Sequence, residues 1–404
     1  MFFLSFIVAV WAWGANLHYL HLINIDVPAL IRYPGRSSPH HPSHHLSTYR
    51  FATVLSAIYG FSLLVFWAFT HRDPARVLAW DWLPLTYLGV LLALFLVPLG
   101  NLSSSGRGRL RSTLRRIAVG GIAETKDGKF GDILLADVLT SYAKVLADLY
   151  VALCMFLRPD ERGDGSTGAT ARPDRGCGGS VIVPLVLAIP SLIRLRQCLI
   201  EYGRVRRGPM NGSTGWGGQH LANALKYATA FPVVIFGALQ RSPEHGPGYF
   251  RAWVVACLVN SFYSFYWDVA KDWDLTLFDG AAHRTSPSHP YGLRRRLHVG
   301  PPTLYYAVIA QDLALRCTWA LKLSARMAPY ADLEGTLFAV QFLEVFRRWV
   351  WIFFRVETEW IRNTGPAGPG GGPSAGLLSD IEDDDILLGD FAVGGGLGKY
   401  EDED

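Results

Sequence analysis

Arg347 and Arg348 sit together inside an apolar run, residues 340–355, that also holds Glu344 and Arg355. A soluble helix would keep one wet face and a plain membrane anchor would carry no charge. Ionisable groups at membrane depth face partners, water or an anion, and they mark a functional site. Guanidinium groups donate paired hydrogen bonds that fit tetrahedral oxyanions, so the chemistry in reach is anion recognition. Other apolar segments carry charges at helical spacing. Asp137, Ser141, Lys144 and Asp148 follow one another by four, three and four residues, with Thr140 beside them, and read as one polar stripe on a single helix. His220, Asn223 and Lys226 recur in steps of three, with Tyr227 adjacent. Asp268 and Asp272 are one turn apart, as are Asp312 and Arg316. Glu344 can pair with Arg348 along its helix, leaving Arg347 for a different neighbour.

Each embedded charge costs about 2.5–3.5 kcal/mol near the bilayer centre. Four or five unpaired ones would exceed the stability of a typical domain. Two arrangements meet that constraint. In one, all the charges cancel: Lys144 with Asp137 or Asp148, Arg316 with Asp312, and Arg348 with Glu344. In the other, Lys226, Arg316, Arg347 and Arg348 form a positive focus on a polar pathway through the bundle. The carboxylates then hold the cations and weaken the site enough for an anion to leave. Thr140, Ser141 and Tyr227 supply neutral donors.

The elements that must position these groups follow from composition. Half of the 404 residues are hydrophobic and 18% are charged, with 13 Trp, 17 Tyr and 22 Phe. This profile predicts an all-α polytopic membrane protein. Nine segments are long enough, or nearly so, to cross the hydrocarbon: 2–22, 51–70, 82–99, 133–157, 181–200, 222–240, 249–267, 303–323 and 336–354. The expected architecture is a bundle of about nine transmembrane helices over residues 1–363. A disordered tail, glycine-rich and then acidic, follows over 364–404. The first segment has no basic region before it and no small-residue cleavage site after it, and reads as a retained span. Connections after the first, third, fifth and seventh spans are arginine-rich. The positive-inside rule therefore places them in the cytosol, with a lumenal N-terminus and a cytosolic C-terminus. Four of the five cysteines fall in apolar segments and only Cys177 in a loop, so no disulfide framework is expected. The sequons at Asn101 and Asn211 fall on the cytosolic side of this topology and are expected to stay unmodified. Glycine-rich stretches at 163–179, 211–218 and 365–376 read as linkers. His40, His41, His44 and His45 read as a polar loop, with metal binding as the alternative.

Five segments in order resemble the EXS-domain family. They are Asp132-Ile-Leu-Leu-Ala-Asp137-Val-Leu-Thr-Ser141, Ala222-Asn223-Ala-Leu-Lys226-Tyr227, Tyr266-Trp267-Asp268-Val-Ala-Lys271-Asp272-Trp273, Tyr305-Tyr306 through Asp312 and Arg316 to Trp319, and Glu344-Val-Phe-Arg347-Arg348-Trp349 through Phe354 to Glu357. The family contains xenotropic-retrovirus-receptor phosphate exporters, plant phosphate exporters and fungal endoplasmic-reticulum-retention-defective proteins. The resemblance implies a phosphate pathway lined by Asp137, Lys226, Tyr227, Asp268, Arg316, Arg347 and Arg348. Thr140 stands where the exporters usually have asparagine. The exporters begin with a cytosolic SPX domain and an additional span, which this sequence does not carry. The short form is similar to the fungal Golgi proteins, which implies return of lumenal phosphate, released by glycosylation, to the cytosol and support of glycosyltransferase retention.

The expected function is thus a phosphate transporter or channel-like exporter of the Golgi membrane, without enzymatic chemistry or a cofactor. Its partners are inorganic phosphate and membrane lipids, with Golgi retention or coat machinery and a homodimer as further candidates and no nucleic acid. The alternative is a non-transporting scaffold or sorting receptor that engages such machinery through its basic loops. In the acidic tail, Asp383, Leu387 and Leu388 fit an acidic-dileucine sorting signal, but a solvated disordered tail is the reading that the composition favours.

Overall fold

The computed structural model describes residues 2–32, 43–97, 104–157, 174, 176–207, 217–240, 248–280, 289–323 and 334–364. The acidic tail with Asp383, Leu387 and Leu388, both sequon asparagines, His40 and His41 lie outside the described residues. The described chain is helical. Its helices are α1 (Phe2–Leu22), α2 (Val27–Leu30), α3 (His44–Thr70), α4 (Pro74–Ala79), α5 (Leu83–Leu96), α6 (Ser104–Ala118), α7 (Lys129–Ser141), α8 (Ala143–Leu157), α9 (Ile182–Arg207), α10 (Gly218–Ala228), α11 (Ala230–Leu239), α12 (Gly248–Trp267), α13 (Pro302–Arg316) and α14 (Glu334–Thr364).

The expected count of about nine spans is corrected by the helices themselves. Five among the described residues are long and apolar enough to cross a membrane: Phe2–Leu22, His44–Thr70, Pro74–Leu96, Ile182–Arg207 and Gly218–Leu239. A sixth is gained if α7 and α8, bent by 60° at their junction, count as one broken span. The remaining three segments fail for identifiable reasons. Helix α12 dilutes its apolar residues with Arg251, Asn260, Tyr249, Tyr263 and Tyr266. Helix α13 stops after 15 residues, and α14 carries Glu344, Arg347, Arg348, Arg355 and Glu357 along its 31. Charges of α13 and α14 meet in the interior with those of the turn after α12, where they satisfy one another and need no apolar surroundings on that side.

The bend between α7 and α8 also breaks the anticipated straight polar stripe. Tyr142 ends α7, so Asp137 and Ser141 lie on one helix and Lys144 and Asp148 on the next. A second irregularity follows α12. Asp268–Asp272 form a single π turn, with Trp273 N donating to Asp268 O at 2.9 Å. Such turns interrupt the regular ladder and are frequent at functional sites.

Side-chain ties sort the helix ends onto two faces. On one lie the arginine-rich α6, the start of α7, the end of α9, the loop 289–301 and the last turns of α14. Arg116 of α6 is hydrogen-bonded to Asp132 of α7 through Nε at 2.6 Å, and this bond raises the Arg116 pKa. Arg204 of α9 donates to the carbonyls of Ala123 and Ile122 at 3.1 and 2.9 Å. Arg355 stacks over Phe130 at 5.2 Å. The end of α1 reaches the same face, where Tyr19 donates to Val299 O at 2.6 Å. Near its start α1 meets the α7–α8 break instead, where Tyr142 donates to Ser5 O at 3.2 Å.

Glu357 of α14 fastens the 289–301 loop. Its carboxylate is fully buried and accepts from Tyr305 Oη at 2.7 Å on each oxygen, from Val299 N at 3.2 Å, from His298 N and from Arg294 Nη2. Trp273, Trp351, Tyr305, Leu20 and Ile25 pack around this clasp as the main apolar core.

The expectation of no disulfide is overturned: Cys154 at the end of α8 is bonded to Cys177, with Cα atoms 6.0 Å apart. The apolar setting of Cys154 concealed this, because the partner comes from the loop at the helix end. Closing a loop of 23 residues stabilises a fold by about 3 kcal/mol. Replacing both cysteines with serine is expected to lower the melting temperature in detergent. In the intact protein neither should accept a maleimide before reduction, as read by peptide-level mass spectrometry. Labelling of either cysteine in unreduced protein would contradict the pairing.

Candidate functional site

Three buried charge groups converge where α7, α9, α10, α12, α13 and α14 pack. Asp137 of α7 accepts from Arg194 Nε of α9 at 2.8 Å and from Tyr227 Oη of α10. Arg194 is further held by Gln197 at 2.7 Å and lies 4.9 Å from the centre of the Tyr227 ring. Lys226 Nζ, one residue earlier on α10, reaches Asp268 Oδ1 at 2.9 Å and Asp272 Oδ2 at 3.2 Å, both on the π turn. The second Asp268 oxygen accepts from Arg316 Nη2 and lies 3.5 Å from Arg347 Nη1. Asp312 bridges the same two arginines, at 2.8 Å to Arg316 Nε and 2.9 Å to Arg347 Nη1. Glu344 grips Arg347 with both oxygens, at 2.9 and 2.6 Å.

The expected Glu344–Arg348 pair does not form, and Arg347 is not the one left over. Glu344 takes Arg347 at i+3, and Arg348 turns toward α7. There its Nε donates to Ser141 Oγ at 3.0 Å and its Nη2 to Thr140 Oγ1 at 3.3 Å. Its guanidinium lies 4.5 Å from the Trp351 ring centre. Ser141 in turn donates to Glu344 at 2.6 Å, so a hydroxyl stands between the arginine and the carboxylate. Among the described residues Arg348 makes no ion pair with a carboxylate, and its Nη1 is buried without a hydrogen-bond partner. The anticipated Asp312–Arg316 pair does form. Asp137 takes Arg194, and Asp148 accepts from Gln341.

Beside these groups is a cavity of about 260 Å³. Lys226, Arg316, Arg347 and Arg348 line it against the single carboxylate of Glu344. Thr140, Ser191, Tyr227, Asn260, Ser261, Ser264 and Trp319 complete its polar wall. Asp137, Asp268, Asp272 and Asp312 sit behind the cations. Bulk water occupies about 30 Å³ per molecule, so the space suits a small oxyanion with part of its hydration shell. Four cations in water-poor surroundings favour such an ion far more than the same charges would on a surface.

Lys226, Tyr227, Arg316, Glu344, Arg347, Arg348 and Thr140 therefore share one cavity. Ser141, Asp137, Asp268, Asp272 and Asp312 support its wall. Asn223 is not part of the lining, and its Oδ1 is buried without a partner; Lys144 and Asp148 belong to α8, beyond the bend. Arg194 escaped sequence reasoning although it obeys the same rule, an arginine inside an apolar segment. Glu357 stands in a motif but signalled no role. Asn260, Ser261, Ser264 and Trp319 carry no charge, and only the packing of α12 against α13 brings them to the cavity.

The sequence model of the EXS family matches residues 1–361. The chain is 26% identical over 386 residues to Protein ERD1 homolog 2 of Schizosaccharomyces pombe, covering 87% of this chain and 93% of that protein. It is 32% identical over 313 residues to Protein ERD1 of Kluyveromyces lactis, covering 75% and 76%. It is 30% identical over 340 residues to Solute carrier family 53 member 1 of Mus terricolor, covering 81% of this chain and 45% of that protein. The match thus spans less than half of the solute carrier's length.

Removing Arg194 leaves the Asp137 carboxylate buried beside a phenol. Arg194→Ala is expected to destabilise the protein by about 3–5 kcal/mol, and adding Asp137→Asn should recover a large part of the loss. Denaturant unfolding in detergent measures both. An unchanged midpoint in the single variant would show that the pair does not hold α7 to α9.

Proposed function

The chain belongs to the EXS family, and from that premise we propose that it moves inorganic phosphate across its membrane through the cavity lined by Arg348. The observation that carries this reading is the arginine itself: it lines the cavity, is buried and cationic, has no carboxylate partner among the described residues, and keeps one buried donor, Nη1, unused. An unpaired buried charge is costly unless a counterion visits it. A phosphate oxygen can take the free Nη1 edge, while Arg316, Arg347 and Lys226 supply further positive charge and the hydroxyls of Thr140, Ser261 and Ser264 supply neutral bonds. Glu344, on the same wall, opposes a long stay. The solute carrier relatives, at 30% identity over 340 residues in one case, support transport as the activity. No bond is made or broken in this scheme.

The Golgi membrane is the proposed location, as the likeness to the fungal retention-defective proteins implies. Phosphate released in the lumen by glycosylation would pass to the cytosol, which would support glycosyltransferase retention. A lumenal N-terminus and cytosolic C-terminus fit the two faces of the bundle. The arginine-rich α6 shares its face with the last turns of α14, while the start of α1 lies toward the opposite side. The Cys154–Cys177 disulfide supports an oxidising compartment for the connection between α8 and α9.

Proteoliposomes loaded with radiolabelled phosphate test the proposal. Arg348→Ala is expected to lower flux at least about tenfold, the equivalent of one charge-assisted bond. Arg348→Lys, which keeps the charge but loses the fork, should fall between the two. Equal flux through wild type and Arg348→Ala would overturn the assignment. A wild type that carries no phosphate would instead favour the scaffold reading.

A further inference from the structure

A second cavity, of about 500 Å³, opens on the arginine-rich face, away from the central one. Arg32, Arg109, Arg116 and Lys126 line it, with Asp127 as the single acid and Ala123 as the apolar contact. Arg32 follows α2, Arg109 and Arg116 belong to α6, Ala123 lies in the connection after it, and Lys126 and Asp127 belong to the 3-10 turn Thr125–Asp127. Three of the cations are fixed from behind. Arg116 is anchored through Nε and Nη2 on Asp132, Arg109 Nη2 donates to Asp127 O at 2.8 Å and Ile31 O at 3.4 Å, and Lys126 contacts the exposed Glu124 at 2.9 Å. Arg32 has a left-handed backbone, φ 50°, with its N–H donating to Ala29 O at 3.1 Å, and its exposed side chain has no ion pair or hydrogen bond among the described residues. Opposite it Gly128 has φ 94°, and a Cβ there would meet Arg109 Nη2 at 2.5 Å and Ile31 O at 2.8 Å, so the approach of the two walls requires glycine.

We infer that this cavity is a binding site for a phosphomonoester group, distinct from the central cavity. Several cations drawn from separate elements match the several acceptor oxygens of a dianionic phosphate better than a single carboxylate. The volume exceeds what one inorganic ion needs, so the phosphate is carried on a larger body. Two sources present that chemistry at this position. One is the headgroup of an anionic lipid, since α6 is amphipathic and exposes Arg111 and Arg115 beside buried Thr113 and Ile117. The other is a soluble phosphorylated metabolite. Either would act on Arg116, and through Asp132 on α7, the helix that carries Asp137.

The full chain in phosphatidylcholine nanodiscs tests the inference with two probes: phosphatidic acid, read by native mass spectrometry, and glycerol 3-phosphate, read by thermal shift. The double variant Arg32→Gln with Lys126→Gln changes two exposed side chains and should bind the effective probe about tenfold more weakly. Arg32→Lys should retain most of the binding, and Arg348→Ala all of it. Binding of phosphatidic acid alone assigns the lipid source, and binding of glycerol 3-phosphate assigns the soluble one. The inference is overturned if wild type binds neither probe, if the double variant binds as tightly as wild type, or if Arg348→Ala abolishes binding. The last result would place the probe in the central cavity.

Discussion

A guanidinium held in the protein interior without a carboxylate beside it is the constraint on which the rest of this bundle depends. Arg348 is kept there by two hydroxyls of α7 and by the face of Trp351. Hydrogen bonds and a desolvated cation–π contact of about 2 kcal/mol offset only part of the cost of leaving water. The remainder must come from the surrounding field. Glu344, Asp137 and Asp268 supply it from a distance while each is engaged by another cation: Arg347, Arg194, and Lys226 with Arg316. The arrangement neutralises the groups that build the wall and leaves one that an ion can complete.

That distribution bears on why three helices around the cavity do not pass for membrane spans. The π turn after α12, with α13 and α14, turns Asp268, Asp312, Arg316, Glu344, Arg347 and Arg348 to a common interior, so their composition answers to one another and not to lipid. Helices α3 and α5, by contrast, expose apolar residues such as Leu63, Leu64, Trp67, Leu92 and Leu96. The breaks serve the same end. The bend at Tyr142 lets α7 present Thr140 and Ser141 to Arg348, and the π turn holds Asp268 and Asp272 around one lysine.

Much of this was legible in the sequence because charge within apolar runs is conspicuous. Asp268, Asp312, Arg316, Arg347 and Arg348 stand out on that ground alone, and helical spacing ties Asp312 to Arg316. Spacing failed where two partners were equally near. Glu344 can reach i+3 or i+4, and the choice of Arg347 is made by Ser141, which arrives from a helix some two hundred residues away in sequence. The expected stripe failed because a helix break between Ser141 and Ala143 carries no proline or glycine to announce it. The disulfide was hidden because pairing of Cys154 with Cys177 depends on where a loop returns. The count of spans failed because α12 mixes polar residues among its apolar ones, α13 ends after 15 residues, and α14 carries charges that meet in the interior.

The most direct measurement is an electron cryomicroscopy map of the full chain in lipid nanodiscs with phosphate, and with tungstate as an electron-dense substitute. The account predicts density for one oxyanion within hydrogen-bonding reach of Arg348 Nη1, between Arg316 and Arg347. A central cavity empty under both conditions, with Arg348 turned onto Glu344 as an ordinary ion pair, would contradict it.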